Sequence, residues 1–188
     1  MASTPPTVLV LGDSFVRRLS SDLSSNFDAR ASQHFDLVGD AVIHLHGVGG
    51  RTVEKLRLYD LGVVSALRPD IIILEIGTND LVDNRPEVVG SEIDDLVQLL
   101  LASYSVRVIG VCEVIPHVRA PFFNAAAPIL NQYLNGVLEL RPNVFSWRHR
   151  GNPTVSPYLC DGVHLNSPGQ NSLYRSNRRA ILKALRLL

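Results

Sequence analysis

One serine and one aspartate–histidine pair are the residues of this 188-residue sequence whose types and spacing could support nucleophilic catalysis. Ser14 follows the apolar run 8–11 and the pair Gly12-Asp13. A serine hydroxyl becomes a good nucleophile when a base takes its proton, and an imidazole base needs a partner on its other nitrogen. In Asp161-x-x-His164 the carboxylate can accept from one ring nitrogen while the other faces Ser14. These residues therefore have the chemistry of acyl transfer.

Each of these motifs also has a structural interpretation. Ser14 is suited to cap the helix predicted after it, which is a common role for serine. An Asp-Gly turn followed by an incidental histidine would produce the 161–164 pattern. Acyl transfer also requires hydrogen-bond donors where negative charge develops on the attacked carbonyl. The Asn79 amide, a backbone N–H of the glycine loop 47–50 and the Ser14 N–H would supply them.

The elements that must position these residues alternate between strand and helix. The apolar segments that indicate strands are 8–11, 35–45 with a bend at 39–40, 70–76, 106–111 and 144–147. The segments with helical spacing are 14–23, 53–62, 93–100 and 129–138, followed by a last helix that Ser167 caps. Residues 113–127 are predicted to form a long connection. Because parallel strands need helix-length crossovers, the alternation predicts an α/β fold with a parallel sheet covered on both faces.

In such sheets, ligands bind beyond the carboxyl ends of the strands. The polar motifs 12–14, 47–52 and 77–80 follow the first three predicted strands, and 161–164 lies beyond the last. All four therefore fall at one edge of the predicted sheet. Helix caps and structural glycines have no reason to collect polar side chains at one edge, so this placement favours a functional site.

The motifs resemble the four sequence blocks of the SGNH (GDSL-type) serine hydrolase superfamily, and the resemblance extends from about residue 8 to residue 170. The matching segments are Gly12-Asp13-Ser14, Gly77-Thr78-Asn79-Asp80 and Asp161-Gly162-Val163-His164-Leu165. The second block is best matched by Gly50, which precedes Arg51-Thr52. Gly49 and Gly47 are alternatives.

The resemblance implies a flavodoxin-like three-layer α/β/α sandwich around a five-stranded parallel sheet. The length of 188 residues predicts a single domain over residues 1–188. The resemblance also implies hydrolysis of carboxylic esters through an acyl-serine intermediate, with no metal and no cofactor. Ser14 would be the nucleophile, His164 the base and Asp161 the orienting acid. Gly50 and Asn79 would bind the oxyanion.

Several functions remain open within this resemblance. The short layout is most similar to the lysophospholipase and platelet-activating-factor acetylhydrolase type, and similar domains occur as esterase modules of mobile elements. An acetylated sugar is another possible substrate. The alternative from a different class is a non-catalytic binding or assembly module on the same fold.

The charge balance and the N-terminal segment narrow the classes of molecule that this protein is expected to bind. Lys plus Arg equal Asp plus Glu at 18 each, so no net field is available to attract nucleic acid or an anionic membrane surface. The sequence begins without a basic signal-peptide start or a membrane-spanning run, and we expect a cytoplasmic protein without stable membrane insertion. Cys112 and Cys160 are expected to be free thiols. The expected partner is a small-molecule ester, and the oligomeric state is left open.

Four further features are weighed against simple packing. His44 and His46 share a face of a strand, but no third ligand lies at a suitable spacing, so we predict no metal site there. The basic residues of 175–186 indicate a core-packed helix with a solvated face more than a membrane-surface helix. The loop 116–123, which includes Arg119, is a candidate lid or acyl-pocket wall. Trp147 is undecided between packing and function.

Overall fold

A computed structural model describes residues 4–24, 32–118, 120–149 and 161–188. This part of the chain contains one parallel sheet in the order β2-β1-β3-β4-β5. Its strands are β1 Thr7–Gly12, β2 Val42–Gly47, β3 Ile71–Glu75, β4 Val108–Cys112 and β5 Val144–Trp147. Gly12 pairs with Gly47 of β2 and with Glu75 of β3, so these three strands end at the same level.

Helices cover both faces of the sheet, which confirms the three-layer α/β/α fold. The helices are α1 Ser14–Ser24, α2 Val53–Tyr59, α3 Leu61–Leu67, α4 Pro86–Ser103, α5 Pro121–Leu138 and α6 Ser167–Leu185, with a 3₁₀ turn at Asp80–Val82. Alternate residues of the strands belong to two apolar clusters. Leu9 and Leu11 pack with residues of α2, α3, α4 and α5, whereas Val8 and Val10 pack with α1 and α6. Because β3 is apolar and buried on both faces, it serves as a central parallel strand.

The strand predicted over 35–38 is wrong. Phe35 and Asp36 have φ values of 52° and 53°, in the left-handed region, and lie in successive hydrogen-bonded turns. The apolar character of the segment has another cause: Phe35 is fully buried and stacks on Tyr174 of α6 with ring centroids 4.8 Å apart. The segment therefore packs against the helical layer.

The predicted helix boundaries differ from the structure in four places. The helix predicted over 93–100 is α4, which begins seven residues earlier, at Pro86. The helix expected to end at Gly62 is two helices, and Asp60 lies between them with its carbonyl accepting from Val63 N. The long connection predicted over 113–127 is wrong in its second half, because α5 begins at Pro121, where the first helical position needs no N–H, and continues through Pro128. The cap of α6 is Asn166, whose side chain accepts from Gly169 N, so Ser167 is the first helical residue.

α6 packs on the sheet through buried residues such as Leu173 and Ile181, which confirms the interpretation of its basic residues as a solvated face. In the part of the chain that the structure describes, no helix is both long and apolar enough to cross a membrane. Cys112 is free, as predicted, and the structure adds that it is buried. The predictions for Cys160 and Arg119 lie outside the described residues.

Candidate active site

Ser14 is the first residue of α1, directly after the end of β1. Gly12 permits this placement, since a β-carbon there would lie 2.1 Å from the Glu75 carbonyl oxygen of the neighbouring strand. The cap of α1 is Asp13 and not Ser14, because Asp13 Oδ1 accepts from Phe15 N at 2.9 Å. The Ser14 hydroxyl is thereby left for other contacts, and the capping interpretation of Ser14 does not hold.

Ser14, His164 and Asp161 form a hydrogen-bonded chain across 150 residues of sequence. His164 Nε2 lies 3.2 Å from Ser14 Oγ. His164 Nδ1 lies 2.7 Å from Asp161 Oδ2. With Nδ1–H donating to the carboxylate, Nε2 carries the lone pair that faces the hydroxyl. The structure thus brings together the three residues that the sequence paired.

The carboxylate of Asp161 is held by its own turn. Its Oδ1 accepts from Val163 N and His164 N at 3.0 Å each. The hydrogen bond from the His164 ring, followed by those from the two backbone N–H groups, holds the pKa of Asp161 well below its usual range. The turn is joined to the loop after β4 by one backbone bond, from Val118 N to Gly162 O at 2.8 Å.

A cavity of about 450 Å³ lies beside the Ser14 hydroxyl. Its lining residues are Ser14, Arg17, Gly49, Gly50, Thr78, Asn79, Val82, His117, Val163 and His164. The Asn79 side chain donates one Nδ2 proton to Arg51 O at 2.8 Å, which fixes the amide and leaves its second proton for a ligand.

The three candidate glycines of the second block are in different positions. Gly49 and Gly50 line the cavity. Gly47 ends β2 and packs under α1, because a β-carbon there would lie 2.3 Å from Arg17 N. The structure therefore gives Gly47 a packing role and leaves Gly49 and Gly50 beside the cavity.

Two buried aspartates fasten the loop that carries these glycines. Asp60 accepts from Arg51 through Nε at 2.6 Å and Nη2 at 3.0 Å, and it also contacts His46 Nε2 at 2.9 Å. Asp80 Oδ1 accepts from Val53 N at 2.9 Å. Burial, opposed by this backbone bond, raises the pKa of Asp80 above its usual value. Sequence reasoning missed the role of Asp60, because nothing in the motif indicates which acid meets Arg51.

His117 forms part of the cavity wall and was grouped in the sequence only with a candidate lid. Its ring stacks on Phe123 at 3.9 Å between centroids, and its backbone N–H and carbonyl are both bound by the Asn124 side chain. Burial, together with the nearby His164, lowers the pKa of His117 to about 4, so its ring is neutral at pH 7. Phe122 lies on α5 and is 91% exposed.

Asp13 is almost fully buried beneath the serine. Burial raises its pKa to about 7, against the effect of the Phe15 N–H, and the charges of Glu75 and Asp80 act in the same direction as burial. Its Oδ2 has no hydrogen-bond partner among the described residues. This carboxyl is therefore close to the boundary between its neutral and charged forms at physiological pH.

A second polar cluster lies under the same edge of the sheet. Glu75, Cys112 and His149 offer three ligand atoms within 4.8 Å of one another. Glu75 is already bound by His149 Nε2 at 3.2 Å and by Asn177 Nδ2 at 3.0 Å. Burial disfavours the charged forms of both His149 and Glu75. Their attraction to each other outweighs this effect, so the pKa of His149 is raised and the pKa of Glu75 is lowered. The geometry is that of a buried ion pair.

The remaining undecided residues have structural contacts. Trp147 Nε1 donates to Ser176 Oγ at 3.0 Å, and the same hydroxyl lies 2.9 Å from His149 Nδ1. His46 contacts Asp60, and among the described residues neither His44 nor His46 belongs to a group of side chains that could share a metal ion.

Known structures share this architecture. A GDSL-like lipase from Bacteroides thetaiotaomicron superposes with a TM-score of 0.73 at 17% identity, over 98% of this chain and 93% of that one. A carbohydrate esterase family 3 protein from Talaromyces cellulolyticus gives 0.72 at 16% identity, over 97% and 99%. An acetyl-xylooligosaccharide esterase from Geobacillus, in a mutant form, gives 0.70 at 16% identity, over 97% and 95%. At these identities the likeness shows the fold alone.

The family assignment rests on the match of the sequence to a family model. Comparison with curated proteins found no match. The family model for GDSL-like lipases and acylhydrolases matches residues 10–171, a range that begins within β1 and includes Ser14, Gly50, Asn79, Asp161 and His164. This chain therefore belongs to the GDSL-like lipase/acylhydrolase family.

Proposed function

We propose that this chain is a serine esterase that hydrolyses carboxylic esters through an acyl-enzyme intermediate on Ser14. The observation that supports this most directly is the hydrogen-bonded chain from Asp161 through His164 to Ser14 beside an open cavity. Residues that only cap and turn would not need an imidazole nitrogen 3.2 Å from a serine hydroxyl.

In the acylation step, Ser14 Oγ attacks the carbonyl carbon of the ester while His164 Nε2 takes the hydroxyl proton. Asp161 holds the other ring nitrogen and stabilises the imidazolium that forms. When the tetrahedral intermediate collapses, the bond to the alcohol oxygen breaks and His164 returns the proton to the leaving alcohol. Water then attacks the carbonyl carbon of the acyl-serine while His164 Nε2 takes a proton from it. When this second tetrahedral intermediate collapses, the bond to Ser14 Oγ breaks, His164 returns the proton to Ser14 Oγ, and the carboxylic acid is released.

The negative charge of the tetrahedral intermediate would be bound by three donors. These are the Ser14 N–H, the Gly50 N–H and the second proton of the Asn79 amide. Because the Asn79 amide is already oriented by Arg51 O, little reorganisation is needed when the charge develops. Gly49 is the alternative backbone donor, since it also lines the cavity.

The substrate is proposed to be a small-molecule ester with an acyl or acetyl group. Lysophospholipid-like, platelet-activating-factor-like and sugar-acetate esters are all members of this class, and a series of esters of increasing acyl length distinguishes them. The cavity of about 450 Å³ is of the size of small-ligand pockets.

The test is covalent labelling with a fluorophosphonate, read by intact mass. We expect a single adduct on the wild-type protein, none on Ser14→Ala and slow formation on His164→Ala. Asn79→Ala should lower ester turnover by roughly 10²- to 10³-fold, which is the effect of removing one oxyanion-hole donor from other serine hydrolases.

Two results would contradict the proposal. If the folded wild-type protein forms no adduct and hydrolyses no ester, the binding-module alternative takes its place. If Ser14→Ala is labelled as fast as the wild type, another residue is the nucleophile. Circular dichroism of each variant separates these outcomes from loss of folding.

A further inference from the structure

We propose that Arg17 is a specificity-determining residue, and that the preferred substrates are esters whose acyl or alcohol part carries a negative charge. The inference takes the reaction, ester hydrolysis at Ser14, from the proposed function. It adds the chemical class of the substrate, which the arrangement of Ser14, His164 and Asp161 does not define.

Arg17 lies one helical turn after Ser14 and on the same side of α1. Residues three apart on a helix have β-carbons about 5–6 Å apart. Both residues line the cavity. The guanidinium lies over Gly49: a β-carbon built there would be 3.4 Å from Cζ and 3.5 Å from both Nε and Nη2. The side chain is therefore directed along the cavity wall formed by the glycine loop.

The Arg17 side chain is exposed, and no described residue forms an ion pair or a side-chain hydrogen bond with it. Other arginines are differently placed. Arg51 is bound by Asp60, and Arg141 by Asp94 through two hydrogen bonds. A guanidinium offers five N–H donors in a planar fork that matches a carboxylate or a phosphate. The donors of Arg17 are thus available to a ligand.

Among the described residues, the cavity lining offers an anion attractive contacts and includes no carboxylate. Its polar members there are hydroxyl, amide and imidazole groups, and Arg17 is the one permanently charged side chain among them. The depressed pKa of His117 keeps that ring neutral. Three aspartates lie around the cavity without lining it: Asp161 accepts three hydrogen bonds in its own turn, Asp80 is buried and bonded to Val53 N, and Asp13 is buried with Oδ1 accepting from Phe15 N.

A neutral ester would leave this guanidinium in water, whereas an anionic one would pair with it while its carbonyl carbon is at Ser14. The separation of the two residues on α1 places the anionic group a few bonds from the ester linkage. Charge-assisted hydrogen bonds of this kind are stronger than neutral ones. We therefore expect the protein to bind an anionic ester more tightly than a matched neutral ester and to prefer it as a substrate.

The experiment compares matched esters. One pair carries the charge on the alcohol part, as 4-acetoxybenzoate against 4-acetoxyacetophenone. The other carries it on the acyl part, as the 4-nitrophenyl monoester of adipic acid against 4-nitrophenyl hexanoate. The readout is the ratio of kcat/KM for the anionic ester to that for its neutral partner.

We expect Arg17→Gln to lower this ratio about tenfold for at least one pair, and Arg17→Glu to lower it further. Arg57→Gln is the matched control, because it removes the same charge from an exposed position on α2 that does not line the cavity. It should keep the wild-type ratio. The proposal is overturned if both Arg17 variants keep the ratio within about twofold of wild type for both pairs.

A binding measurement separates this inference from the proposed function. Ligand-observed NMR on Ser14→Ala reports affinity for the same esters without turnover. Preferential binding of an anionic ester that is lost in Ser14→Ala/Arg17→Gln supports the inference even if the wild-type protein proves inactive. Equal binding of charged and neutral esters contradicts it, whatever the labelling of Ser14 shows.

Discussion

The aspartates around the cavity fall into two groups that use the same side chain differently. Asp60 and Asp80 are buried and reach across sequence to fasten the loop that follows β2. Asp161 is 43% exposed at its side chain, and among the described residues its hydrogen bonds all lie within its own four-residue turn. The proposed oxyanion side of the site is therefore held by long-range buried contacts, and the proposed base side by local exposed ones.

Two of the buried aspartates near the cavity, Asp13 and Asp80, also differ from Asp161 in the direction of their pKa shifts. Desolvation raises the pKa values of Asp13 and Asp80, because their charges are costly in the interior. Asp161 keeps its contact with water and gains three hydrogen bonds, which lower its pKa. The carboxylate that we propose to orient the imidazole is thus placed at the surface, where its charged form is stable, and carboxyl groups that accept from backbone N–H groups are placed inside.

The largest effect is expected at the exposed aspartate. Asp161→Asn keeps the shape of the side chain but can place an amide N–H against His164 Nδ1. The imidazole would then carry its proton on Nε2, facing Ser14, and could not accept the serine proton. We expect kcat for 4-nitrophenyl acetate to fall by about 10³- to 10⁴-fold.

The melting temperature serves as the control for Asp161→Asn. Since Asp161 is exposed and its hydrogen bonds to described residues are confined to its own turn, the variant should melt close to the wild type despite its loss of activity. A variant that retains most of its turnover would show that His164 is oriented by another group, and the contrast between the two kinds of aspartate would fail.

A smaller effect is expected at a buried aspartate. Asp60→Asn weakens the contact with Arg51, whose carbonyl orients the Asn79 amide. Because Asp60 acts through other residues, it is a positioning residue. Full loss of an oxyanion donor costs roughly 10²- to 10³-fold, so misplacement of one should lower kcat by about tenfold, with a smaller change in KM.

Asp94→Asn is the matched control for Asp60→Asn. Asp94 also binds an arginine, Arg141, but this pair links α4 to the segment after α5 and does not line the cavity. Both variants should lose stability, and only Asp60→Asn should lose kcat. An equal loss of kcat in both would assign the effect of Asp60 to stability alone.

Periodicity and local motifs predicted the parts of the fold and site that depend on short segments. The five strands follow from apolar runs, and the edge at which the motifs meet follows from the three runs that lead into Gly12, Gly47 and Gly77. The pairing of Asp161 with His164 was predictable because it lies within one turn. The segment 35–38 was mistaken for a strand because burial against α6 produces the same residue types as a sheet does.

Long-range partners could not be predicted in this way. Nothing near Arg51 indicates that Asp60 binds it through two nitrogens, or that its carbonyl receives the Asn79 amide. The position of Arg17 at the site could not be predicted either, because it depends on which face of α1 carries Ser14 and on the contact with Gly49 from another loop. The spacing of Ser14 and Arg17 was the available signal, and it becomes informative only when the cavity is known.

The smallest effect on turnover is expected at Asp13, and its signature is pH-dependent stability. The folded-state pKa of about 7 lies above the ordinary aspartate value, so the folded protein binds the proton more tightly than the unfolded chain. The stability that this proton contributes is fully present below about pH 4 and is lost as the pH rises to about 7. Asp13→Asn removes this dependence, because the amide is neutral at every pH and keeps an oxygen for Phe15 N.

Thermal melting at pH 5 and pH 8 checks this expectation. The melting temperature of Asp13→Asn relative to wild type should increase by about 5 °C between the two pH values, while kcat at pH 8 changes by less than about threefold. Asp83→Asn, at an exposed position, removes the same charge and should show no such increase. A constant difference across pH would mean that Asp13 is charged throughout, and the buried group of aspartates would then be defined by position alone, without the electrostatic contrast to Asp161.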